Sequence, residues 1–216
     1  GPRLLAQRSC SGRRGRGSVL PVSTSPSSQA SAPPESAPGG AVAVLTAAGS
    51  GSRLGAGVPK ALVPVGGVSL LRRAAAGLIA SGVVSHVVVT APAEEVDRFR
   101  AELEGLPDGS AQDEAGRWDG IEVVAGSPRS RQASVALGLA AALAAVPQAD
   151  VVIVHDAARA LTPPEVTQRV VAAVRAGHEA VVPALPVTDT VKEVEARPAG
   201  EPEPVVGTPQ RARLRA

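Results

Sequence analysis

The sequence predicts an α/β fold: a Rossmann-like, doubly wound, mostly parallel sheet with helices on both faces and an extended β-arm near the C-terminus. From residue 41 onward, short valine-rich runs alternate with helical patterns, which is typical of buried parallel strands and their crossover helices. The predicted strands are AVAVLTA (41–47), HVVVTA (86–91), IEVVAG (121–126), VVIVHD (151–156) and AVVPAL (180–185). A glycine-rich turn follows the first run, where sheets of this class bind ligands.

Two helices have recognisable start and stop signals. Ser69 is predicted to cap a helix that carries leucines on one face and ends at Gly82. Thr162 precedes two prolines and an early acid, which predicts a second helix that ends at Gly177. Both helices have one apolar face and therefore suit packing against a sheet.

Residues 1–40 are rich in Arg, Ser, Pro and Gly and are predicted to be a disordered tail. Their net charge is +4 and that of the remaining chain is −2, which argues against a nucleic-acid footprint on the folded part. We interpret the tail as dispensable, and import into a plastid is the alternative. The single cysteine, Cys10, favours a reducing compartment and a cytoplasmic protein. No apolar run approaches the ~20 residues of a membrane helix.

The stretch 46–60, TAAGSGSRLGAGVPK, exposes main-chain N–H groups that can approach a polyanion. A P-loop requires Ser or Thr after its lysine, but Ala61 follows Lys60, so this interpretation fails. A dinucleotide fingerprint requires GxGxxG, and the glycines from Gly49 onward are spaced one residue too far apart. A nucleotidyltransferase phosphate loop fits better, with Arg53 and Lys60 as its cations.

Residues 47–60 resemble the AAGxGxRxG…PK motif of the 2-C-methyl-D-erythritol 4-phosphate cytidylyltransferase family of the non-mevalonate isoprenoid pathway. The resemblance covers about residues 41–216, which it identifies as a nucleotidyltransferase domain. It implies that Arg53 and Lys60 stabilise the transition state at the α-phosphorus. The nucleotide-binding residues that it implies in this loop are Ala47, Ala48, Gly49 and Gly51.

The segment HDAAR (155–159) ends the fourth predicted strand and matches the family at five positions. Asp156 can ligate Mg²⁺, which neutralises triphosphate oxygens, and Arg159 can contact a phosphate. We therefore predict Asp156 as the metal ligand and both residues as substrate-binding. His155 has no partner at triad-like spacing and is interpreted as structural.

The run SRQASV (130–135) resembles the RxxSV helix start of the family, which implies that Arg131 and Ser134 bind the nucleotide and that the serine helps to recognise cytosine. Upstream, the family usually has a Gly-Gly pair, whereas this chain has Pro128, which lacks a backbone N–H.

The segment 186–216 is predicted to be the arm. PVTDTVK (186–192) resembles the PVxDTxK arm of the family, which implies that Thr190 binds the phosphate of the second substrate. The spacing of Thr208 and Leu214 around Arg211 resembles the TxxRxxL segment, which implies that Arg211 positions that substrate as a catalytic residue. On this alignment we expect the domain to be incomplete at its C-terminus.

The resemblance implies that CTP and 2-C-methyl-D-erythritol 4-phosphate are joined with release of pyrophosphate, with Mg²⁺ as cofactor and a homodimer as the assembly. A phosphate monoester is already largely dianionic and needs no general base, so catalysis would be positioning and charge neutralisation. Within the same class, a ribitol-phosphate type cytidylyltransferase and a molybdopterin guanylyltransferase are the alternatives. A dinucleotide-binding oxidoreductase domain and an inactive nucleotide-binding fragment are the others.

Overall fold

The computed structural model describes residues 3–7, 40–49, 58–107 and 119–216. The chain forms two compact units: the first comprises Ser9–Pro164, and the second comprises Gly1–Arg8 with Glu165–Ala216. This boundary differs from the predicted division into a tail of residues 1–40 and a domain of residues 41–216.

The described strands and helices alternate along the chain, as predicted. The strands are β1 (Arg3–Gln7), β2 (Ala41–Thr46), β3 (Pro64–Val65), β4 (Val68–Ser69), β5 (Val84–Ala91), β6 (Gly120–Ala125), β7 (Val151–Asp156), β8 (Ala180–Ala184), β9 (Glu193–Val194) and β10 (Val205–Gly207). The helices are α1 (Leu70–Ala80), α2 (Val96–Leu103), α3 (Arg131–Ala145) and α4 (Pro164–Arg175). None of the described helices has the length and apolar content needed to cross a membrane.

The first unit contains a four-stranded sheet in the order β6-β5-β2-β7. All three strand pairs are parallel, which confirms the predicted doubly wound sheet. The chain moves outward from β2 through β5 to β6 and then returns to the other side of β2 with β7. The switch point of the topology, where such sheets form a crevice, therefore lies between the carboxyl ends of β2 and β7.

Helices cover both faces of this sheet, as predicted. On one face α1 and α2 pack against Leu45 and Val89, and Phe99 of α2 is fully buried. On the other face α3 and the residues that follow it pack against Val42, Val44 and Val88. Alternate residues of β2 thus enter opposite cores, because side chains in a strand alternate in direction.

The local signals of α1 are confirmed. The hydroxyl of Ser69 accepts a hydrogen bond of 3.0 Å from the N–H of Arg72, and Gly82 follows the helix with φ of +66°. At the second predicted helix start the structure differs, because α4 begins at Pro164 and the Thr162 hydroxyl donates to the Arg159 carbonyl at 2.9 Å. Thr162 therefore closes the turn before the helix.

The prediction of a buried parallel strand at 180–185 was wrong. Strand β8 is largely exposed and pairs antiparallel with β1, so residues 3–7 form a strand although the sequence predicted disorder there. Pro183 is consistent with an edge position of β8, because a proline has no N–H to donate and is confined to edge strands. The fold class is unaffected, since the parallel sheet consists of the other four predicted strands.

The predicted arm is confirmed as an extended segment of the second unit. Strands β9 and β10 form an antiparallel pair, and Pro186 forms an isolated antiparallel bridge with Arg215. Most side chains of this arm are exposed.

Candidate functional site

The glycine-rich turn leaves the carboxyl end of β2 at the switch point. Ala47 is buried and donates its N–H to the Thr90 carbonyl at 3.0 Å, Ala48 is half-buried, and Gly49 is exposed. These three residues line one cleft, and their role in nucleotide binding stays a prediction. Gly51 and Arg53 lie outside the described residues.

Lys60 stands on the same cleft. It begins a 3₁₀ turn, Lys60–Leu62, which follows Pro59 and is anchored by the buried Ala61. The Lys60 side chain is exposed and lines the cleft together with Pro59. This short turn thus places an ammonium group among the residues that line the cleft.

The start of α3 lines the same cleft. Ser130 caps this helix by accepting a hydrogen bond of 3.0 Å from the N–H of Ala133. The first N–H groups of a helix and its dipole favour a bound anion. Arg131, the first helical residue, lines the cleft, and its role in nucleotide binding stays a prediction.

Ser134 is 3% exposed and its hydroxyl closes the loop that precedes α3. It accepts a hydrogen bond of 2.9 Å from the N–H of Ser127 and lies 3.1 Å from the Ser127 carbonyl, to which it can donate. Its predicted role in base recognition stays a prediction, and its contacts in the structure shape the loop. The nearby Gly126 was not predicted; a Cβ there would lie 2.8 Å from the Cβ of Ala48, so glycine lets the two loops approach.

Asp156 is the last residue of β7, and three side chains contact its carboxylate. Its Oδ1 accepts hydrogen bonds from the Thr46 hydroxyl at 2.8 Å and from a guanidinium nitrogen of Arg131 at 2.6 Å. Its Oδ2 lies 3.6 Å from Nε of Arg159. Partial burial alone raises the pKa of Asp156, but the hydrogen bonds from Arg131 and Thr46 and the charges of both arginines outweigh it, so the net pKa lies below its usual value. The carboxylate is ionised at neutral pH.

His155 precedes this carboxylate in β7. Burial lowers its pKa and outweighs the hydrogen bond with the Arg159 backbone and the charge of Asp156, both of which raise it. The imidazole is therefore neutral at pH 7, in agreement with its interpretation as structural.

Thr46 is a residue of the site that the sequence interpretation missed. Its register partner in the parallel sheet is Asp156, which lies 110 positions away in the chain. Its position in the sequence could have identified it. Thr46 is the polar last residue of an otherwise apolar strand, directly before the glycine-rich turn.

The cleft has a volume of about 1240 Å³, above the ~300–1,000 Å³ typical of small-molecule sites. It brings together Lys60, Arg131, Asp156 and Arg159 at the ends of parallel strands. Glu94 and Glu95 line the cleft as well, so its three cationic side chains face three carboxylates. The three cations and the start of a helix can hold a polyphosphate.

Within the described residues, no group of three or more His, Cys, Asp or Glu side chains could hold a metal ion. Mg²⁺ does not require such a group, because it is commonly held by one or two carboxylates together with substrate phosphates and water. The carboxylate of Asp156 at the end of β7 therefore fits a cation that a nucleotide brings with it.

Two predicted substrate residues belong to the second unit and are described within it. Thr190 is exposed. Arg211 begins a 3₁₀ turn, and its guanidinium group donates to the Thr188 carbonyl at 2.9 Å. In the same arm, Nζ of Lys192 donates to the Thr208 hydroxyl at 2.9 Å. The roles predicted for Thr190 and Arg211 stay predictions.

A doubly wound sheet with this cleft at its switch point is the architecture of the nucleotide-binding α/β proteins. The family model of 2-C-methyl-D-erythritol 4-phosphate cytidylyltransferase (IspD) matches residues 41–216. The chain belongs to this family.

Curated relatives with that name have closely similar sequences. The protein of Saccharopolyspora erythraea is 53% identical over 174 residues, which cover 81% of this chain and 70% of that protein. The protein of Streptomyces avermitilis is 51% identical over 175 residues, and that of Streptomyces coelicolor is 49% identical over 180 residues. These two matches cover 81% and 83% of this chain but only 66% and 63% of the relatives.

Solved structures share the fold. A 4-diphosphocytidyl-2C-methyl-D-erythritol synthase from Anaerococcus prevotii superposes with a TM-score of 0.61 at 22% identity, covering 82% of this chain and 68% of that chain. A second synthase of the same name has a TM-score of 0.60 at 23% identity, covering 83% and 72%. Both likenesses support the Rossmann-like architecture.

Proposed function

We propose that this protein transfers the cytidylyl group of CTP to 2-C-methyl-D-erythritol 4-phosphate. A phosphate oxygen of the acceptor forms a bond to the α-phosphorus of CTP, and the bond from that phosphorus to the β-phosphate bridge breaks, which releases pyrophosphate. The observation that carries this proposal is the cleft at the switch point, where Lys60, Arg131, Asp156 and Arg159 line the same space as residues 47–49 of the glycine-rich turn. Membership of the family supports the identity of both substrates.

Several residues have distinct parts in this proposal. Lys60 neutralises charge that develops on the phosphates, together with the predicted Arg53. The first turn of α3 and the main chain of residues 47–49 bind and orient the triphosphate. Asp156 would hold Mg²⁺, which when bound neutralises triphosphate oxygens.

No described residue has to act as a general base. The acceptor phosphate is largely dianionic near neutral pH, because its second pKa is about 6. The protein therefore accelerates the reaction by holding two anions in line and by offsetting their repulsion. Thr190 and Arg211 are proposed to orient the acceptor, and homodimerisation and a cytoplasmic location remain predictions.

The test is a pyrophosphate-release assay with four nucleoside triphosphates and two acceptors, 2-C-methyl-D-erythritol 4-phosphate and ribitol 5-phosphate. We expect turnover with CTP and the methylerythritol acceptor, with the product verified by mass spectrometry. Faster turnover with ribitol 5-phosphate or with GTP would assign the protein to one of the alternative transferases. Calorimetric titration with CTP and with NAD is the matched binding control, and tighter binding of NAD would contradict the proposal.

A further inference from the structure

The contact between Thr46 and Asp156 indicates a function for a residue outside the motifs of the resemblance. Thr46 ends β2, and its register partner Asp156 ends β7, so the two side chains meet at the switch point. The Thr46 hydroxyl lies 2.8 Å from Oδ1 of Asp156 and 3.3 Å from the His155 carbonyl. A hydroxyl has one proton to donate, and the shorter contact to a charged oxygen is the stronger bond.

The three partners of the Asp156 carboxylate differ in how firmly they are held. Thr46 is half-buried on a central strand, and its β-branched side chain has few rotamers. The side chains of Arg131 and Arg159 are 61% and 75% exposed, and each has many rotamers available. Both guanidinium groups can therefore turn towards a bound phosphate, whereas the threonine hydroxyl stays in place.

The two oxygens of the carboxylate are also unequal. Oδ1 is occupied by Thr46 and Arg131. Among the described residues no hydrogen bond reaches Oδ2, whose contact is the guanidinium group of Arg159 at 3.6 Å. Oδ2 is thus the oxygen more open to a cation or a ligand group.

We propose that Thr46 is a positioning residue that holds Oδ1 of Asp156 against the sheet and keeps Oδ2 available when the arginines turn to the nucleotide. The inference rests on the proposed function, because it assigns Asp156 to the binding of a nucleotide with its cation. It adds a residue whose contribution passes entirely through the carboxylate.

The decisive variants are Thr46→Val, which preserves the shape and removes the hydroxyl, and Thr46→Ser, which retains the hydroxyl. We expect Thr46→Val to weaken CTP binding in the presence of Mg²⁺ by about tenfold, the scale of one hydrogen bond to a charged group. Thr46→Ser should bind within about twofold of wild type, since the same bond can form. Calorimetric titration measures both, and KM for the acceptor should be unchanged.

A double-mutant cycle with Asp156→Asn separates positioning from a merely structural role. If Thr46 acts through the carboxylate, Thr46→Val should add little to the loss of CTP affinity that Asp156→Asn causes by itself. Full additivity would overturn the inference, and so would equal CTP affinity of Thr46→Val and wild type. If Thr46→Val does not fold, Thr46→Ala takes its place in the cycle, and thermal unfolding verifies each variant.

The two proposals fail in different ways. A wild-type protein that binds no CTP and releases no pyrophosphate would contradict the proposed function whatever the variants do. A wild-type protein that binds CTP, with Thr46→Val and Thr46→Ser equally tight, would contradict only the role of Thr46.

Discussion

Strands β2 and β8 have similar apolar sequences, AVAVLT and AVVPA, but lie in opposite environments. The first five residues of β2 are fully buried, whereas Val182 of β8 is 59% exposed. Strand β2 has a parallel neighbour on each side and helices on both faces, while β8 pairs with one strand. Valine content therefore predicts a strand, and the elements that surround the strand decide its burial.

The predicted site residues at the carboxyl ends of the parallel strands differ in the same way from those in the arm. At the end of β7, Asp156 receives hydrogen bonds from two different elements, which fixes a charged group beside the cleft. In the arm, the described side-chain hydrogen bonds of Lys192 and Arg211 go to residues of the arm itself. The sheet end is thus preorganised, and the following predictions test how much that matters.

The largest effect is expected at Lys60, which lines the cleft, whereas Lys192, the other lysine of the chain, lies in the arm. Lys60→Ala should lower kcat by about 100-fold, the scale of losing one donor to a charged transition state. Lys192→Ala is the matched control and should cause a much smaller loss. Pyrophosphate release measures both, and unchanged kcat for Lys60→Ala would remove this lysine from the mechanism.

Close packing of α3 on the sheet predicts the next effect. A Cβ on Gly138 would lie 2.6 Å from Cγ1 of Val44 and 2.9 Å from Cγ2 of Thr90, both stiff β-branched side chains. Gly138→Ala should therefore lower the free energy of unfolding by ~1–3 kcal/mol.

Gly77 of α1 supplies the control for that variant. A Cβ there has its nearest contact at 3.6 Å, so Gly77→Ala should stabilise the protein by up to ~1 kcal/mol through helix propensity. Urea unfolding compares the two variants. Equal stability changes for them would show that α3 does not approach the sheet as closely as these distances require.

A pair of isosteric substitutions tests the contrast between buried and exposed strands. Val87→Thr places a hydroxyl in a fully buried position of β5 and should destabilise the fold by ~1–3 kcal/mol. Val182→Thr in the exposed β8 should change stability by less than ~0.5 kcal/mol. A comparable loss for Val182→Thr in chemical unfolding would mean that β8 is covered in solution.

The smallest expected effect is the pH dependence of stability that His155 contributes. Burial holds its folded-state pKa below the unfolded value of ~6.5, so the unfolded chain binds more protons as the pH falls. The free energy of unfolding that His155 contributes is fully present above its unfolded-state pKa. It is lost as the pH falls towards its folded-state pKa. His155→Gln should flatten the slope of unfolding free energy against pH from 7 to 5, whereas an unchanged slope would contradict a pKa lowered by burial.

The sequence by itself determined the four parallel strands, and for β7 even the limits Val151–Asp156. It also determined the Ser69 cap, the glycine end of α1 and the place of Asp156 at the carboxyl end of β7. Each of these features depends on local periodicity, on a capping side chain or on the rule that parallel strands end at one edge.

Only the tertiary structure decided the partner of β8, the loop contacts of Ser134 and the bond from Thr46 to Asp156. Strand pairing and register join residues that are far apart in the chain, so no local pattern specifies them. The hydroxyl of Ser134 accepts from the Ser127 N–H and can donate to the Ser127 carbonyl, so the fold of the loop before α3 decides its partners. Contacts of this kind follow from long-range packing, and they determine which predicted groups meet at the site.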